Sequence, residues 1–191
     1  YTPLILGMTT ADVLGYLNSV GGAGMLVGTL LMSTWGGPKR RIWGIYVAET
    51  VMGITTLLFG LRLSVPLMAV NTFFFMLVMP ISSGCSQAIW QTKVAPDIQG
   101  RVFAIRRMIA FSIIPLAYLL SGPLAEQVFE PGMLEGGALA RLFGPLVGVG
   151  PGHGMGLLFV ICGTLYVATI LAAVIYPRIR RVEQELPDAV A

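Results

Sequence analysis

The sequence predicts an all-α membrane protein with five full spans and the end of a sixth. Three observations carry that expectation. Of 191 residues, 55% are hydrophobic and 11% charged, and the mean hydropathy is +0.81, whereas soluble domains carry roughly a quarter charged residues. Five segments supply the ~20 mostly apolar residues that a bilayer-crossing helix needs. The cations fall in short loops that alternate between rich and poor, as successive crossings require.

The elements follow in order. Within residues 1–10, "YTPLILG" reads as the outer end of an earlier helix and its loop. The membrane domain, residues 11–176, then holds spans from about Ala11 to Trp35, Ile42 to Leu61, Pro66 to Thr92, Val102 to Ala125 and Met155 to Tyr176. Residues 177–191 form a tail ending in the acidic "VEQELPDAVA". Between the last two spans, the glycine-rich but apolar loop Phe129 to Gly154 has room for an interfacial helix near Leu134 to Phe143.

Ten cations lie on one side: Lys39, Arg40, Arg41, Lys93, Arg101, Arg106, Arg107, Arg178, Arg180 and Arg181. Only Arg62 and Arg141 lie on the other. This asymmetry makes the first loop, the third loop and the tail cytoplasmic. The net charge of +3 therefore reflects membrane topology and not a nucleic-acid surface. In "STWGGPKRR", Gly36, Gly37 and Pro38 end one helix and the cations anchor the next.

Along the first span, Gly21, Gly24 and Gly28 fall within about 60° of one another at 100° per residue, a face that lets another backbone approach closely. Asn18, Gly22, Met25 and Thr29 form a neighbouring face that could border a cavity. The third span is the most polar, with Asn71, Ser82, Ser83, Ser86, Gln87 and Gln91 around Pro80. Proline frees a backbone carbonyl there, which membrane helices tolerate where neighbours or water satisfy it. These side chains could line a cavity or bond neighbouring helices. The fourth span carries Pro115, Pro123, Ser112, Tyr118 and Ser121, and Asp97 before it is placed to cap the helix and pair with Arg101.

Glu49 is the one carboxylate well inside a span, about 12 Å past the end of its helix. Such a group is a candidate proton-coupling site, or else it pairs with a cation or stays protonated. Cys85 and Cys162 lie in apolar runs and match no metal or redox spacing, as expected of packed thiols. One histidine, His153, no paired carboxylates on a shared face, no phosphate loop and no metal spacing leave hydrolysis, phosphoryl transfer and redox chemistry without machinery. No enzyme activity, cofactor, metal or nucleic-acid partner is expected.

"GTLLMSTWGGPKRR" and "PDIQGRVFAIRR" resemble cytoplasmic loops in the C-terminal half of major facilitator superfamily transporters, especially the bacterial macrolide-efflux and enterobactin-exporter-like branch. The resemblance covers essentially the whole chain. It implies the C-terminal six-helix half of a twelve-helix bundle, with helices eight to twelve and the end of helix seven, in the bacterial inner membrane. It also implies an N-terminal partner half, lipid contact, and a small-molecule substrate held near the midplane during alternating access. Gly28, Gly37, Lys39, Arg40 and Arg41 match the family's conformational loop, followed by Asp97 and Arg101 in the next. The usual acidic residue is replaced near Thr34 and Trp35, which leaves the first loop as hinge and anchor. The same mapping favours Asn71, Ser82, Ser86 and Tyr118 as cavity residues, joined by Asn18, Thr29 and Gln87, and disfavours Glu49 on helix nine. The implied function is proton-coupled export of drugs or siderophores. A membrane scaffold or the membrane domain of a fused protein is the alternative, ahead of a channel, since no filter-like segment appears.

Overall fold

The computed structural model describes residues 9–61 and 64–176, together with Glu183 and Ala189. The segment 1–8, Arg62 and the tail cations Arg178, Arg180 and Arg181 lie outside the described residues. Five helices are long and apolar enough to cross a membrane, and no strand occurs among the described residues.

Helix α1, Thr10–Trp35, starts at a capping box. The Thr9 amide donates to Asp12 Oδ2 at 2.8 Å and the Asp12 amide to Thr9 Oγ1 at 3.2 Å, so two end amides are satisfied reciprocally. It stops at Gly36, whose φ of 72° only glycine adopts without cost. After the turn come α2, Arg41–Phe59, and α3, Val65–Lys93, the latter with Pro66 in its first turn, where a missing amide costs nothing.

Helix α4, Pro96–Pro123, begins earlier than the expected Val102. Its N-cap is Ala95, so the expected cap at Asp97 is not formed; Pro96 occupies the first helical position and puts Asp97 inside the first turn. There it meets the helix dipole rather than a backbone amide, and no ion pair joins it to Arg101 among the described residues. Beyond Pro123 the chain continues as a π-helical segment, Leu124–Phe129, and a short turn of helix α5, Glu130–Met133. The fourth apolar stretch thus runs to Met133, past the expected Ala125. The loop helix α6 is Ala138–Val147 rather than Leu134 to Phe143, because Leu134 is extended, Gly136 has φ 87° and Gly137 is the N-cap. Helix α7, His153–Ile175, completes the chain of spans.

The spans pack in the order α1, α3, α2, α7. Glycine sets the spacing. A Cβ on Gly24 or Gly28 would collide with the backbone carbonyl oxygen of Phe73 or Leu77, and one on Gly21 would stand 3.0 Å from Thr72 Cγ2. The glycine face of α1 therefore lies directly against the α3 backbone, the close approach such a face permits. Between α2 and α7, Gly53 faces Val167 and Gly163 faces the Leu57 backbone in the same manner.

Helix α4 stands apart: none of its residues is buried. It is tied to α3 near one end, where the Gln99 side-chain amide donates to the Gln91 and Val94 carbonyls at 3.0 and 2.9 Å. At the other end the π-helical segment packs on α7. There Met133, Val147, Leu157 and Val160 form an apolar cluster bordered by Phe129 and Phe143. The Glu130 carboxylate accepts the amides of Gly152 and Gly154, capping α7. Outward-facing apolar side chains such as Leu26, Leu30 and Leu119 are positioned to meet lipid.

Candidate functional site

Helix α2 is the post on which the polar side chains of α3 and α7 converge. Gly44 and Gly53 flank Glu49, five residues before it and four after. A Cβ at Gly44 would stand 2.9 Å from Cys85 Sγ on α3, and one at Gly53 would stand 2.8 Å from Val167 Cγ2 on α7. Both neighbours therefore come close where α2 carries its carboxylate. Ser82, one turn before Cys85 on the buried side of α3, donates its hydroxyl to Glu49 Oε1. Tyr166, next to Val167, donates its hydroxyl to Glu49 Oε2.

Three spans thus meet at one half-buried carboxylate. Each oxygen takes one hydroxyl donor. Among the described residues no Lys, Arg or His bonds to Glu49. On adjacent turns, Tyr46 donates to the Ala173 carbonyl at 3.2 Å, and Asn71 Nδ2 donates to the Thr55 carbonyl at 2.9 Å. Asn71 Oδ1 is buried without a partner.

The other sequence candidates separate. Asn71 and Ser82 both face α2 and bond across to it. Ser86 faces α4 instead, accepting from Arg106 Nη2 at 2.7 Å, while the Arg106 guanidinium lies 5.2 Å from the Trp90 ring centroid. Gln87 is exposed, and so are Asn18 and Thr29, whose side chains donate to carbonyls of their own helix, Leu14 and Met25. Tyr118 is 77% exposed on α4. Cys85 is buried as expected, whereas Cys162 is exposed.

At the basic end, Gly28 belongs to the α1–α3 seam and Gly37 turns the chain with φ 85°. Lys39 and Arg40 are exposed. Arg41 Nη1 donates to the Ala88 carbonyl at 3.2 Å, fastening the loop to α3. Arg40 is the N-cap of α2 but gives no side-chain bond. That function falls to Glu183, whose carboxylate accepts the Arg41 and Ile42 amides at 3.0 and 3.2 Å, while Lys93 Nζ donates to its carbonyl at 2.8 Å. An acidic side chain is favoured at this positive helix end.

Tyr166, Arg106 with Trp90, and Glu183 were not singled out from sequence. Tyr166 alone left a signal: membrane tyrosines favour the interfaces, yet it lies 13 residues into α7, counting from His153.

Comparison with known proteins adds a relationship. The chain is 30% identical over 114 residues to Macrolide efflux protein A of Streptococcus pyogenes, covering 56% of this chain and 27% of that protein. It is 31% identical over 96 residues to Macrolide efflux protein A of Enterococcus faecalis, covering 49% of this chain and 30% of that one. The matched part therefore spans less than a third of these relatives' length. No family model matches the chain, and no solved structure matches it. These likenesses support a relationship to macrolide-efflux-like transporters and fit the multi-pass helical bundle.

Proposed function

We propose that this chain is the C-terminal helical half of a major facilitator superfamily exporter. It moves small, partly apolar molecules such as drugs or siderophores out of a bacterial cell, against proton influx. The observation that carries this reading is the likeness to macrolide efflux proteins on a bundle of five apolar spans. A macrolide is accordingly the first substrate to try.

In this reading the basic loops and tail face the cytoplasm across the inner membrane, by the positive-inside rule. The uncovered faces of α1, α3 and α4, with Asn18 and Thr29, Gln87, and Tyr118 respectively, turn toward the substrate path and an N-terminal half. The glycine seam between α1 and α3 serves alternating access, since a flat backbone contact slides where interlocked side chains would not.

The test is accumulation of radiolabelled macrolide by a pump-deficient bacterium expressing the full-length protein. Lower accumulation, restored to the control level by a protonophore, is expected. Accumulation equal to the vector control across macrolides and siderophores would remove the exporter reading. Export undiminished by the protonophore would remove the proton alone.

A further inference from the structure

The carboxylate at the centre of three helices is the group whose chemistry the fold leaves open. Charge buried in a membrane is costly, and such residues pair or mark ion and proton paths. Glu49 has no cation partner among the described residues, only two hydroxyl donors. The titratable or charged groups near it are few. Its own helix offers Tyr46, whose hydroxyl is engaged by Ala173, and Arg41, two turns away and bonded to Ala88. Helix α3 offers Cys85 one turn beyond Ser82, and α7 offers Tyr166 itself. One carboxylate with two hydroxyls falls short of the ligand set that a hard metal cation takes, which is six or more oxygens.

We propose that Glu49, bridged by Ser82 and Tyr166, takes up and releases a proton during transport, and that its protonation state sets how tightly α3 and α7 are held to α2. The inference rests on the proton-driven exporter reading and supplies the residue that reading lacks in this half. The step balances simply. A proton adds to one carboxylate oxygen, no electrons move, and the same proton later leaves to water.

Its consequence follows from hydrogen-bond inventory. The ionised carboxylate accepts from both hydroxyls, but a protonated oxygen becomes a donor. One bridging hydroxyl must then turn from donor to acceptor or let go. Ser82 has an alternative, the carbonyl of Val78 four residues earlier, the bond that serine commonly makes inside a helix. Ser82 also lies two residues past Pro80, which removes the backbone bond to the Met76 carbonyl. The release therefore acts on α3 next to its weakest point, and α3 in turn carries the glycine seam with α1.

Two measurements on the full-length protein test this. In infrared difference spectra between low and high pH, the wild type is expected to show a carboxylic-acid C=O band that Glu49→Gln lacks. Tyr166→Phe and Ser82→Ala keep that band and shift its frequency, because each removes one hydrogen bond to the group. In proteoliposomes, Glu49→Gln is expected to lose at least tenfold of macrolide uptake driven by a pH gradient while retaining substrate exchange without a gradient. A band unchanged by all three substitutions overturns the proposal, as does a Glu49→Gln variant driven as well as wild type. Should Glu49→Gln not fold, the frequency shifts in the other two variants decide. A Glu49 band in a protein that transports nothing would leave the proton site standing and defeat the exporter reading. Uptake driven by a sodium gradient, with no Glu49 band, would replace the proton with a metal cation.

Discussion

Adding one methyl group at Gly24 tests the packing of the bundle against an internal control two residues away. The Cβ of Gly24→Ala points into the Phe73 backbone carbonyl of α3, whereas a Cβ at Gly22 meets nothing within 4 Å. Both positions lie inside α1, so both substitutions gain alanine's helix propensity, about 1 kcal/mol or less. Only Gly24→Ala must also push two helices apart. Backbone cannot swing aside as a side-chain tip can, so the strain falls in the usual range for overpacking, about 1–3 kcal/mol. The net expectation is a loss of up to about 2 kcal/mol for Gly24→Ala and no loss, or a small gain, for Gly22→Ala. The difference between the two isolates the steric cost. Reversible unfolding in mixed detergent micelles, followed by circular dichroism, gives both values. Equal stabilities for the two variants would refute the argument that the α1–α3 spacing is set by backbone contact at this glycine.

Three other substitutions follow from named contacts. Glu183→Ala removes the acceptors at the start of α2, and a loss of about 1 kcal/mol is expected from the lost cap, together with faster trypsin cleavage at Lys39 to Arg41; unchanged cleavage would show that the tail does not hold this loop. Glu130→Ala uncaps α7 at Gly152 and Gly154 and should cost about 1–2 kcal/mol in the same unfolding assay, with faster amide exchange at 152–154. Asn71→Ala deletes one interhelical bond to Thr55 but also removes an oxygen that has no partner. A loss near 0.6 kcal/mol is therefore expected, and a loss several times larger would mean that Asn71 holds more than this bond.

Much of the architecture was legible because membrane spans are written in composition. Length and apolarity located all five, and helical periodicity placed Gly21, Gly24 and Gly28 on one face before any partner was known. Where the boundaries moved, the cause was local chemistry that hydropathy ignores. Pro96 starts α4 six residues before Val102 because proline suits a first turn, and Gly136 with Gly137 delays α6 because one takes a left-handed φ and the other caps. Polar side chains were harder. Ser82 and Ser86, a single turn apart, serve different helices, one bonding Glu49 on α2 and the other Arg106 on α4. A few tens of degrees around α3 decide between those partners, and no local pattern states which neighbour lies on which side.

Composition and periodicity alone identify five apolar spans among the described residues and which of them carry small or polar faces. Those properties belong to each helix alone, through hydrophobic transfer and the 3.6-residue repeat. That hydroxyls and no cation hold Glu49 among the described residues emerges from the fold, since Ser82 and Tyr166 reach it from 33 and 117 residues away. The order α1, α3, α2, α7 brings them together. That order follows from which glycine faces fit which backbones, a property of pairs of helices that no single segment contains.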